Sequence, residues 1–175
     1  LTTLNYRLPP VLKRVRQAAP GVELIVSSMP TRDVVERVAR READIGLVTL
    51  PISETRLKVT RLCDEEIVAI FSPEASDIPD VVTPQFVAKS TLIMEHSRGA
   101  VNAFVENWMA RNDTHADPTM RISNVEAIKT LVSANLGMSI VPRATTTAVQ
   151  GGLVVLPASR PAVAPKKIRK LSSRR

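Results

Sequence analysis

The sequence predicts an α/β protein built in two successive parts. Helical and strand periods alternate from residue 7 to residue 71, and a proline-rich acidic connector, SPEASDIPDVVTP at 72–84, precedes a second alternating stretch. The 175 residues, 44% hydrophobic and 23% charged, have ordinary globular usage and enough length for a real core. No apolar run approaches the ~20 residues that span a bilayer.

In the first part, RLPPVLKRVRQA at 7–18 reads as a helix. Leu8, Val11, Leu12 and Val15 form one apolar stripe, and Pro9 and Pro10 suit the first turn, where a missing N–H costs little. Pro20-Gly21 stops it. Val22, Leu24 and Val26 then alternate as a strand would. Thr31 reads as the N-cap of a second helix with Val34, Val35 and Val38 on its inner side. Ala43–Val48 and Glu66–Phe71 follow as short apolar strands. This order argues for a layered unit with parallel pairing.

The second part opens with a strand at Thr91–Met94 and a helix from Gly99 to Arg111, whose apolar side is Val101, Phe104, Val105 and Trp108. Met120–Ile122 is a brief strand. Ser123-Asn124-Val125-Glu126 fits the S-x-x-E capping box, in which Ser and Glu each satisfy a free backbone N–H. Val125, Ile128, Leu131 and Val132 continue at helical spacing, and Gly137 supplies a left-handed stop. Met138–Val141 is a last strand, closed by Pro142.

The net charge of +7 belongs to one end of the chain. Residues 160–175 hold seven of the 24 basic side chains and no acid, leaving 17 basic and 17 acidic side chains in the rest. A short basic stretch broken by Pro161 and Pro165 reads as a solvated, disordered tail, with weak contact to phosphates or anionic lipid as the other reading. Aromatic residues make up only 3%, too few for a nucleic-acid stacking platform. Cys63 is alone, and Asp64, Glu65 and Glu66 beside it favour the thiol over a nucleophilic thiolate. His96 and His115 are not spaced as metal ligands. No nucleophile elbow, phosphate loop or dinucleotide fingerprint is present. No catalytic set, metal or cofactor is implied.

Six short stretches together resemble the effector-binding domain of LysR-type transcriptional regulators. They are Leu8–Leu12 followed by Pro20–Leu24, then Glu42–Val48, Glu65–Ile70, Val125–Val132 and Leu136–Pro142, in the family's order and at its intervals over residues 1–157. The resemblance implies a fold like the type 2 periplasmic binding proteins: two α/β lobes, two crossover segments and a ligand cleft between the lobes. Lobe I is expected at 1–71, incomplete at both ends, lobe II at 72–159 and the basic tail at 160–175, with the first crossover near Phe71–Pro73. The chain opens on Leu1 in what reads as mid-segment, and a winged helix-turn-helix is expected to belong to the longer protein. DNA would be touched only through that module. A homodimer or tetramer is implied, with the helix at Pro9–Gln17 facing the partner's second lobe near Val125–Ala134. No membrane contact is implied, and the expected location is the cytoplasm.

Physics suggests where a ligand would sit. In open α/β sheets ligands bind beyond the carboxyl ends of strands, where helix N-termini offer free N–H groups and partial positive charge to anions. Thr2 and Thr3 precede the first helix, Thr31 opens the second, Ser97 lies before the Gly99 helix, and Ser123 and Asn124 open the capped one. Thr2, Thr31 and Ser123 also match positions at which the family holds its effector. Each hydroxyl could instead serve only its own helix. Arg98 could add a counter-charge. The reading is an effector sensor for a small anionic metabolite. A transport solute-binding protein and an enzyme on the same scaffold are the other classes.

Overall fold

The computed structural model describes residues 5–49, 52, 57–96, 99–147, 152–158 and 166–173. The chain divides into two units: unit 1 is Leu1–Glu65 with Lys166–Arg175, and unit 2 is Glu66–Pro165. The first boundary therefore falls between Glu65 and Glu66, six residues before the expected one at 71, and the end of the chain returns to unit 1.

Unit 1 opens with helix α1 (Leu8–Ala18), with Pro9 and Pro10 in its first turn. None of its residues is buried, although its stripe is apolar. Residues 22–27 form no strand. Val22, Leu24 and Val26 are 55%, 40% and 44% exposed, and Ile25 is 85% exposed. The apolar alternation is present here, but among the described residues no strand pairs with it.

Helix α2 (Thr31–Ala39) packs Val34 and Val38 over strand β1 (Gly46–Thr49). Its N-cap is Pro30, with no capping side chain, so Thr31 is the first helical residue rather than the cap. Gly46 permits the approach: a Cβ there would lie 2.6 Å from a Val34 methyl and 3.0 Å from a Val38 methyl. Strand β2 (Leu57–Glu65) was not legible, since its nine residues, LKVTRLCDE, carry charges on both faces.

The expectation of a disordered basic tail is overturned. Residues Lys166–Ser173 form strand β8, the middle strand of a sheet ordered β1-β8-β2. Both of its pairings are antiparallel, so the parallel pairing expected in this unit is absent among the described residues. A central strand needs backbone partners on both sides, and here it has them. It contributes Leu171, fully buried with Val38, Val48 and Leu57. Lys166 and Lys167 stand in register with Glu65 and Asp64, which places basic positions opposite acidic ones.

Unit 2 holds a five-stranded sheet ordered β5-β4-β6-β3-β7. Its strands are β3 (Ile67–Phe71), β4 (Leu92–Glu95), β5 (Met120–Ile122), β6 (Met138–Pro142) and β7 (Val154–Pro157). Strand β4 is parallel to β5 and β6, whereas β3 is antiparallel to β6 and β7. The connector contains a short helix, α3 (Pro84–Lys89), capped by Thr83, whose hydroxyl accepts the Phe86 N–H. One sheet face carries Ile67, Ala69, Phe71, Leu92, Met94, Met138 and Ile140 against Val105, Trp108 and Met109 of α4 (Ala100–Ala110). The other carries Val68, Ile70, Ile93 and Val141 against Ile128 and Val132 of α5 (Val125–Ser133). Both faces are thus covered, as near-continuous apolar strands require.

Two turns differ from expectation. After α5 it is Asn135 that enters left-handed space, at φ +59°. Gly137, at φ +149°, is needed for another reason: a Cβ there would stand 2.4 Å from the Thr91 carbonyl oxygen, which accepts the Met138 N–H at 2.9 Å. After β6 a 3₁₀ turn, η1 (Arg143–Thr147), turns back toward the junction. The Arg143 N–H donates to the Glu66 carbonyl at 2.8 Å. Its guanidinium donates to both Glu66 carboxylate oxygens, at 2.5 and 3.0 Å. That hydrogen bonding holds the Glu66 carboxyl below its usual range and raises Arg143 in turn.

Candidate functional site

The geometry of a site is clearest in unit 2. Parallel pairing sets the C-terminal ends of β4 and β5 side by side, with Glu95 in register with Ile122. Each strand then turns into a helix, β4 into α4 and β5 into α5. The His96 N–H donates to the Ile122 carbonyl at 2.8 Å, so the first residue after β4 is bonded to the last residue of β5. Beyond the strand ends lie two helix N-termini whose partial positive charge favours an anion.

The start of α4 is capped by the backbone of Gly99, with no side-chain hydrogen bond. It is pinned to the end of β4 by buried Asn102, whose Nδ2 donates to the Glu95 carbonyl at 2.7 Å. At α5 the cap is Asn124: its Oδ1 accepts the Glu126 N–H at 2.8 Å. The cap therefore lies one residue after Ser123, and the S-x-x-E box is not formed. The Glu126 carboxylate pairs at 2.8 Å with Lys129 instead of returning to the helix start. Ser123 is left exposed just before the cap.

Of the six candidate residues, Ser123 and Asn124 are brought together at the start of α5. Thr31 is exposed at the start of α2 in unit 1. Thr2, Thr3 and Ser97, and with them Arg98, lie outside the described residues.

Two residues that hold this region were not singled out from the sequence. Asn102 interrupts an otherwise apolar helix start, which is itself a signal of a buried polar contact. Lys129 is 2% exposed, and its Nζ donates to the Thr145 carbonyl of η1 at 2.9 Å. The i, i+3 pair Glu126–Lys129 was the legible clue.

A mixed sheet with helices following its parallel strands, and a smaller sheet that takes in the strand Lys166–Ser173, define a two-unit α/β architecture. Its relatives give the family. The model of the LysR substrate binding domain matches residues 1–169, and the chain belongs to that family. It is 28% identical over 142 residues to an uncharacterised HTH-type transcriptional regulator of Escherichia coli K12, YfiE, covering 81% of this chain and 48% of that protein. The chain thus spans about half the length of the curated relatives it matches. In fold it is similar to the Synechocystis CcmR regulatory domain in complex with 2-PG (TM-score 0.84, 19% identity, 98% of this chain and 84% of that one). It is likewise similar to the BenM effector-binding domain with its effector benzoate (TM-score 0.80, 22% identity, 99% and 80%). No helix among the described residues is long and apolar enough to cross a membrane.

Proposed function

We propose that this chain is the effector-sensing domain of a LysR-type, DNA-binding transcriptional regulator. It would hold a small anionic metabolite and alter transcription through a DNA-binding module elsewhere in the full protein, in the cytoplasm. The observation that carries the ligand reading is the bond between His96 and Ile122, which ties together the ends of the parallel strands β4 and β5 from which α4 and α5 follow. Ser123 offers a hydroxyl there, and Asn124 a side-chain amide already engaged in capping. Thr2, Thr3, Thr31 and Ser97 are the further ligand contacts of this proposal. Benzoate, the effector of one domain of similar fold, supports the ligand class. The regulator names of the relatives support a sensor over a transport protein.

A homodimer is part of the same reading. Helix α1 has an apolar stripe with no buried residue, flanked by Lys13, Arg14 and Arg16. Unit 1 carries 17 basic and 8 acidic side chains, and unit 2 carries 7 and 9. Unit 1 of one copy against α5 of another, near Val125–Ala134, would cover the stripe and pair unlike charge. Sedimentation at micromolar concentration tests this, with a monomer as the contrary result.

The ligand reading is tested by a thermal-shift screen of organic acids, amino acids and inorganic anions. A binder at ~100 times its Kd adds about 2.7 kcal/mol of stability. Ser123→Val and Thr31→Val should remove that shift and leave the unliganded melting point nearly unchanged. Variants that respond like the parent would overturn the site.

A further inference from the structure

The chain crosses from unit 1 to unit 2 between two adjacent carboxylates, and each is held by an arginine of its own unit. Arg7 reaches the buried Glu65 carboxylate through both Nε and Nη2, at 2.8 Å. Arg143 holds Glu66 by its backbone N–H and by both carboxylate oxygens. Each of the two neighbours is thus tied within its own unit.

The Glu66 anchor does not end at Arg143. Arg143 opens η1, and η1 is fastened to α5. The Thr145 carbonyl accepts the buried Lys129 Nζ, and the buried Thr145 hydroxyl donates to the Pro142 carbonyl at 2.8 Å. Lys129 in turn pairs with Glu126, whose N–H is capped by Asn124. Polar contacts of 3.0 Å or less, bridged by short stretches of chain, therefore run from the first turn of α5 to the residue at which the chain changes unit. Within this run Lys129 is 2% exposed, so its bond to the Thr145 carbonyl is shielded from water.

We infer that Lys129 and Arg143 are positioning residues that couple the N-terminal turn of α5 to the Glu65–Glu66 crossing, so that an event at Asn124–Glu126 is felt where the two units join. This rests on the proposal that the start of α5 takes the ligand. The coupling itself is present in the chain alone.

Hydrogen exchange of the Arg143 amide in the full chain tests it, because that N–H is bonded to the Glu66 carbonyl. Glu126→Gln alters only an exposed side chain distant in sequence from Arg143, and Lys129→Met removes the enclosed charge. Both should speed Arg143 exchange several-fold. Arg7→Gln, which frees Glu65 alone, should leave it at the parental rate. If Glu126→Gln and Lys129→Met exchange at Arg143 like the parent, or if Arg7→Gln changes that amide as much as they do, the coupling is overturned. Sodium benzoate at millimolar concentration, the acid held by one similar domain, forms a separate arm. A response at residues 123–126 with no change at Arg143 also overturns the coupling. No response at 123–126 to benzoate or any other acid of the screen counts against the ligand reading, while the variants still decide the coupling.

Discussion

Lys129 Nζ and the Thr145 carbonyl oxygen meet 2.9 Å apart in a place closed to solvent, sixteen residues apart in sequence. An enclosed ammonium survives only when its hydrogens are placed, and here a carbonyl and the Glu126 carboxylate take them. Lys129→Ala would remove the stem's packing and orphan the carbonyl, costing about 3 kcal/mol. Lys129→Met keeps the stem and should cost less. Urea midpoints should fall in the order parent, Met variant, Ala variant; an Ala variant as stable as the parent would contradict this.

The Glu66–Arg143 pair gives a pH signature. The carboxyl is held below its ordinary value, foremost by the hydrogen bond from Arg143. A lowered folded value means that the contribution is full above the ordinary value of 4.5 and disappears as the pH falls through the folded one. Both side chains are partly in water, so it is worth at most about 1 kcal/mol. Urea unfolding of the parent and Glu66→Gln should differ near pH 7 and draw together as the pH falls below 4.5. A gap constant across that range would contradict this.

Gly137→Ala should be among the costly small substitutions. The added methyl meets the Thr91 backbone and the positive φ disfavours a side chain, together about 2–3 kcal/mol. Met138 would lose its register with Leu92. A melting point within a degree of the parent would be the contrary outcome.

Deleting residues 166–175 removes the middle strand of the unit 1 sheet and the buried Leu171. Exchange protection should vanish from α2, β1 and β2 and persist in β3, β4 and β6. Retained protection in β1 and β2 would show that they need no third strand.

What was legible in the sequence was local. The elements β3, β4, α4, β5, α5 and β6 announce themselves because periodicity and burial agree within each. The S-x-x-E pattern located the start of α5 to within one residue, but Asn124 and Ser123 compete for the cap on equal chemistry, and only backbone geometry decides. Strands β2 and β8 were invisible because their stability comes from pairing across more than a hundred residues. Neither has an apolar period, and KKIRKLSS satisfies its backbone in the middle of a sheet. Near the candidate site, the starts of α4 and α5 were legible to within a residue or two, but the buried contacts of Lys129 and Asn102 were not, because their partners, the Thr145 and Glu95 carbonyls, lie outside their own helices.

The open segment Val22–Val26 has a practical consequence for handling this chain. Four β-prone aliphatic residues are 40–85% exposed in a segment that joins no sheet among the described residues, a template that like segments of other copies can join. A preparation should be limited by the concentration at which it clouds rather than by the temperature at which it melts.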